Sequence, residues 1–212
     1  MFKSKAALAA LLSVTLASCA KDMEITDQGI SITRSACPAV AIPAATGDVT
    51  LFNPQNSRDA AAIDVVANIT NLRSTCDESG EYIVTQVTFD VQALRRDSRG
   101  ARDVVLPYFA TVVQGSTSLV SKSVGRVGLH FNDGELRAST RGSASGQVLR
   151  AAATLPEDVR KQLTRRRKAG DPDAAVDPMA DPTVREAVRR ASFEVLVGFQ
   201  LTPEQLAYNA TR

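Results

Sequence analysis

Reactive side chains are scarce in this sequence. It holds three cysteines, Cys19, Cys37 and Cys76, and a single histidine, His130. Thiolate and imidazole serve most readily as nucleophile, base or transition-metal ligand near neutral pH. His130 lies in "GLHFNDG", beside a turn pattern, and a catalytic triad would need it next to a serine and a carboxylate. The stretch "GSASG" at 142–146 has glycines and serines but not the Gly-x-Ser-x-Gly spacing of a nucleophile elbow. His130 therefore reads as a strand-end residue and no catalytic residue is assigned. One imidazole and a pair of cysteines that can bridge supply a metal site poorly, so no metal and no cofactor is expected. Asp171, Asp173, Asp177 and Asp181 in "DPDAAVDPMADP" lack the glycine and late glutamate of a calcium loop and read as a solvated turn linker.

Cys19 closes an apolar N-terminal run, "MFKSKAALAALLSVTLASCA". Lys3 and Lys5 form a positive start, residues 6–16 an apolar core, and small residues precede the thiol, the three-part pattern of a secretory signal. That core is shorter than the roughly 20 residues a helix needs to span a bilayer. Leu16, Ala17, Ser18 and Cys19 resemble the bacterial lipobox. The resemblance implies cleavage before Cys19, thioether diacylation of its sulfur and acylation of the new terminus. Each buried methylene contributes about 0.8 kcal/mol, and stable anchoring takes two chains. By the same resemblance, Ala20 in place of the aspartate that retains enterobacterial lipoproteins implies export to the outer membrane, facing the periplasm. An ordinary secreted protein with a cysteine at the cleavage site is the competing reading.

Removing residues 1–18 from the 212 leaves 194, and Lys3 and Lys5 go with them, so 25 basic residues become 23 against 23 acidic ones. A neutral chain has no global field to draw nucleic acid, and none is expected as a partner. With 44% hydrophobic residues the chain can bury one core with an appendage. Cys37 and Cys76 are an even pair in a chain matured outside the reducing cytosol, which predicts a disulfide. Closing a loop of about 40 residues would stabilise by roughly 4 kcal/mol.

The body reads as strands. Short apolar runs "AVAIP" and "DVTLF" are separated by Pro43 and Gly47, after a polar tether at 19–35 leading to one short strand. "AIDVVANITNLRST" and "EYIVTQVTFDVQAL" flank the turn "DESG". Ile63, Val65, Ala67 and Ile69 share one face of the former; Ile83, Thr85, Val87, Phe89, Val91 and Ala93 share one face of the latter. "DVVLPYFATVVQ" and "LVSKSVGRVGLHF" make a second hairpin, in which Pro107 marks an edge strand or a bulge. A strand is expected near 146–155, and another over 193–201 with Gly198 as a possible bulge. The whole predicts an all-β fold, a sandwich or a barrel, and the number of strands suits an immunoglobulin-like antiparallel β-sandwich over 36–155 and 191–212 better than a closed barrel. A charged helical insertion at 156–190 interrupts it, with a capping box from Thr154 to Glu157 and Asp181 capping a second helix. A short C-terminal helix starts at Thr202, with Gln205 completing its capping box.

"SACPAVAIP", "VTFDV", "LPYFATVV" and above all "FEVLVGFQLTPEQLAYN" resemble uncharacterised lipoproteins of alphaproteobacteria, over most of 35–154 and 192–209. That resemblance brings no activity and no catalytic residue. The expected role is a non-enzymatic structural or protein-interaction module in the envelope, anchored to the membrane through acylated Cys19 and meeting an envelope protein. Arg165, Arg166, Arg167 and Lys168 leave a carrier or chaperone for a lipid or anionic envelope polymer as the alternative, although charge runs are usually solvated helix faces. An envelope hydrolase is a further alternative that no feature favours. The absence of tryptophan weakens a glycan-binding role. A Cys19→Ala chain is expected to leave the membrane fraction and take up no labelled palmitate; undiminished labelling and membrane retention would place the protein elsewhere.

Overall fold

The computed structural model describes residues 23–26, 29–32, 35–165, 170–172 and 175–211, and the chain divides into two units, 1–35 with 164–176 and 36–163 with 177–212. In the first, β1 (Met23–Thr26) and β2 (Gly29–Ile32) pair antiparallel, Met23 opposite Ile32. A two-stranded ribbon thus stands where the sequence suggests a tether with one strand.

The second unit is rich in β-structure. Its strands are β3 (Ala39–Ala41), β4 (Asp48–Phe52), β5 (Ile63–Asp77), β6 (Tyr82–Arg95), β7 (Arg102–Gln114), β8 (Ser118–Phe131), β9 (Arg137–Leu149) and β10 (Phe193–Phe199). Its helices are α1 (Arg150–Ala153), α2 (Glu157–Thr164, ending in the other unit), α3 (Pro182–Arg190) and α4 (Pro203–Thr211). The strands form two four-stranded sheets, ordered β3-β10-β7-β8 and β4-β5-β6-β9. All pairings within them are antiparallel except β3 with β10, which is parallel. The chain crosses between sheets after β6 and again after β8, so β8 and β9 end their respective sheets.

Period-two alternation builds the core. Ile83, Thr85, Val87, Phe89, Val91 and Ala93 are all buried, while their neighbours on β6 face outward, as the alternation dictates. Val65, Ala67 and Ile69 of β5 join them. The facing sheet contributes Val104, Leu106, Ala110 and Val112 of β7, Val127, Leu129 and Phe131 of β8, and Val195, Val197 and Phe199 of β10. Each Val, Leu, Ile or Phe among them stabilises by about 1.5–3 kcal/mol when fully removed from water.

β9 departs from its expected position, running from Arg137 to Leu149, with a helical turn at 150–153. Its inward residues Ala138, Thr140, Gly142, Ala144 and Gly146 are too small or polar to announce a strand. They are small because large side chains cross over them. A Cβ at Gly142 would sit 2.3 Å from Cζ of Phe89, and one at Gly146 2.8 Å from Cγ2 of Val195.

Pro107 does not mark an edge strand, since β7 lies between β10 and β8, and the register shift in that hairpin falls at Val112/Val113 instead. The Pro107 carbonyl accepts from the Gln200 amide at 2.9 Å, just beyond the end of β10, so the missing N–H faces a place where pairing is already over. Gly198 is no bulge either, because β10 pairs with β7 without interruption; a Cβ there would strike Oγ1 of Thr46 at 2.3 Å.

Helix ends follow local chemistry. Asp181 accepts from the Thr183 amide at 2.8 Å, and Thr202 and Gln205 close a reciprocal box, with the Thr202 amide donating to Oε1 of Gln205 at 2.9 Å. Thr154 does not cap α2. Its hydroxyl donates back to the Arg150 carbonyl, and α2 opens after Pro156. Val159 of α2 and Val184 and Ala187 of α3 form a small core of their own. The C-terminal helix is held by Asn209, which donates to the carbonyls of Ala45 and Asp48, and by Tyr208 edge-on to Phe52.

Gly142→Ala is expected to lower stability by about 1–3 kcal/mol through overpacking against Phe89. Gly128→Ala, where a Cβ meets nothing within 4 Å, should stay within about 0.5 kcal/mol of the parent. Urea unfolding of the two variants checks the difference.

Candidate functional site

Leu16, Ala17, Ser18 and Cys19 lie outside the described residues, as do Arg166, Arg167 and Lys168; Arg165 is exposed after α2. Cys37 and Cys76 are joined as a disulfide, with Cα atoms 6.1 Å apart. The bridge ties the start of the second unit to the far end of the β5–β6 hairpin. Oε1 of Glu78 lies 3.1 Å from Sγ of Cys37. Among the described residues these three make the one cluster of metal-capable groups, but sulfurs bonded to each other offer no thiolate.

His130 stands opposite Asp103 in the β7–β8 ladder, with Nδ1 2.7 Å from Oδ1 of the carboxylate. Side chains in this pair are 58% and 77% exposed, so water competes for both. The pair has the base and orienter of a triad; no hydroxyl or thiol is hydrogen-bonded to the imidazole among the described residues. In the aspartate-rich linker, Asp177 accepts from the Met179 amide and Asp181 caps α3. Hydrogen bonds from the Thr183 hydroxyl and amide hold the Asp181 carboxyl below the usual range.

Arg95 is the polar centre that sequence inspection misses, since nothing in "QALRRDSRG" distinguishes it from its neighbours. Only 2% exposed, its guanidinium donates to the carbonyls of Glu135 at 2.7 Å, Gly100 at 2.8 Å, Ser98 at 2.7 Å and Asn132 at 2.9 Å. Phe131 packs against its face at 5.2 Å. The β6–β7 and β8–β9 connections, two of the segments that carry the chain between sheets, are thereby pinned to one planar cation. Nearby, Arg102 makes a bidentate pair with Asp64. Hydrogen bonds from Arg99 draw the Asp97 carboxyl down to about 2. This end of the sheets is fastened by arginines already engaged within the protein.

The β8 edge is different. From Gly125 onward its inward residues Val127, Leu129 and Phe131 are buried. Before Gly125 the strand is exposed on both faces, with Leu119 64%, Val120 50% and Val124 59% exposed. Gly115 and Ser116 take positive φ in the turn that brings the chain back into this segment. Register places Val124 beside Phe109 and Leu119 beside Val113, so these apolar residues share the outer face of the sheet with Val105. Nζ of Lys122 lies 5.4 Å over the Phe109 ring. A separate shallow, open groove beside α1 is lined by Glu81, Leu149, Arg150, Thr154, Leu155 and Pro156.

Comparison of the chain with protein-family models, with curated proteins and with solved structures yields no match. The reading of the site therefore rests on its own geometry.

Replacing Arg95 by methionine is expected to cost about 2–4 kcal/mol, because four carbonyls lose a charged donor at once. Arg95→Lys should recover only part of this, since an ammonium cannot span the same carbonyls. Thermal unfolding of the pair, with exchange rates of the Ser98 and Gly100 amides, checks both.

Proposed function

We propose that this chain is a lipid-anchored protein of the bacterial cell envelope, held in the outer membrane through acylated Cys19. In this reading it belongs with the alphaproteobacterial lipoproteins it resembles, and it works as a non-enzymatic interaction module facing the periplasm. Its body is read as an immunoglobulin-like sandwich, which the two four-stranded sheets and their cross-sheet connections support. Such sandwiches often engage partners along an exposed strand.

The observation that carries this function is the first half of β8: an unpaired edge with Leu119, Val120 and Val124 exposed and nothing buried beneath it. An exposed apolar edge strand invites association, and native proteins usually cover or blunt it. The groove beside α1 is too open to enclose a lipid, which gives the carrier reading less support. A benzophenone side chain placed at position 124 in living cells should form a discrete protein adduct, while the same group at exposed Gln86 on the other sheet should not. Equal labelling from both positions, or none from either, would remove the interaction reading.

A further inference from the structure

The backbone of β8 shows which of its groups are open. The Pro107 carbonyl turns toward Gln200, so Pro107 and its partner Arg126 are not a pair that exchanges hydrogen bonds across the β7–β8 ladder. Arg126 therefore directs its N–H and C=O away from β7, and by alternation so do Val124 and Lys122, onto the free side of the sheet. The row of donors and acceptors a new strand would need is present.

Charge selects among strands. β8 contains no aspartate or glutamate, and neither does β9, the edge strand of the other sheet. Lys122 and Arg126 flank Val124 and have no carboxylate within 4 Å among the described residues, whereas Arg141 of β9 is engaged by Asp90 at 3.1 Å. A second copy adding its β8 or β9 to β8 would set Lys122 and Arg126 against neutral or basic residues only, with no attraction to repay the like charge. At β4, the other edge of the β9 sheet, the Asp48 carbonyl is already taken by Asn209 of the C-terminal helix. An anionic lipid headgroup would answer the cations but would leave the β8 carbonyls without donors. An extended polypeptide answers both.

Resting on the interaction reading above, we infer that the Lys122–Arg126 segment of β8 receives an extended acidic peptide segment of a partner protein as an added antiparallel or parallel strand. Its carboxylates meet Lys122 and Arg126, and its apolar side chains lie over Val124 and Phe109. The backbone ladder supplies affinity and the two cations supply choice of partner.

The test uses the full chain in detergent with capped Thr–Glu and Thr–Lys repeat peptides, each about eight residues long to match the exposed half of the strand. The Thr–Glu peptide is expected to slow hydrogen exchange of the Lys122, Val124 and Arg126 amides by about tenfold or more, and the Thr–Lys peptide not to. Val124→Pro removes an edge donor that takes no part in the β7 ladder, so it should abolish the protection with the unfolding midpoint little changed. K122E/R126E, two exposed surface changes, should transfer the protection to the Thr–Lys peptide and keeps the question answerable should the proline variant not fold. Four results would overturn the inference: no protection by the Thr–Glu peptide, binding undiminished in Val124→Pro, protection that grows with protein concentration alone, or equal protection by phosphatidylglycerol added to the detergent micelles. If the acidic peptide fails while the position-124 adduct persists in cells, the interaction reading stands and only the acidic strand falls.

Discussion

Phe89 and Tyr108 meet edge to face, their ring centroids 5.1 Å apart, and each lies against bare backbone. Phe89 covers Gly142 of β9; Tyr108 covers Gly125 of β8, where a Cβ would fall 2.4 Å from the ring. Such a pair adds about 0.5–1.5 kcal/mol beyond the area it buries, but its larger effect is on position. One ring belongs to each sheet, and each is fixed against a glycine of an edge strand. The two sheets therefore close on the flank where β8 and β9 end them. Because a one-residue slip would turn every side chain of a strand to the opposite face, these glycines also hold the register.

The same contact explains why one edge is blunted and the other open. The Tyr108 hydroxyl passes beyond Gly125 and donates to the Ser143 carbonyl at 2.6 Å, occupying an acceptor of β9. Among the described residues no side-chain hydrogen bond of this kind is made to the β8 backbone before Gly125. Gly125 is the point at which β8 leaves the core, for Val127, Leu129 and Phe131 follow it inward, and Ser121 and Ser123 before it remain exposed. The hairpin arm thus extends past the last residues that could bury it, held by the β7 ladder. Leu119 and Val124 face water because they lie on the outer face of the sheet, while the inward positions of the arm are the serines Ser121 and Ser123.

Large parts of this architecture are legible in the sequence, and the failures have a common cause. On β6 a single alternation specifies six buried residues, because one face of an internal strand meets the core along its whole length. The Cys37–Cys76 bridge follows from even pairing, and the α4 capping box from a local four-residue pattern. β9 is hidden because its inward positions are small in answer to Phe89 and Val195, residues far away in the chain. Arg95 is hidden for a similar reason: four carbonyls from two separate connections make its burial tolerable, and neither connection announces them. Pro107 misleads because its rule concerns one hydrogen bond, whereas edge status concerns a whole strand. Local rules read local geometry; complementarity between distant segments is not written in either segment alone.

Net charge has the same defect as a guide. Counted without residues 1–18 the acidic and basic totals balance, and a neutral total suggests no electrostatic preference. The fold does not distribute that balance evenly. Carboxylates at Asp64, Asp90 and Asp97 are engaged by arginines beside them, which removes both members of each pair from the field seen by a partner. Lys122 and Arg126 stand on one strand, β8, with no acid of its own. At physiological ionic strength screening acts over roughly 8 Å, so a partner strand senses these near cations rather than the sum over the molecule. Recognition at such an edge is governed by which charges the fold leaves unpaired, and composition cannot report that number.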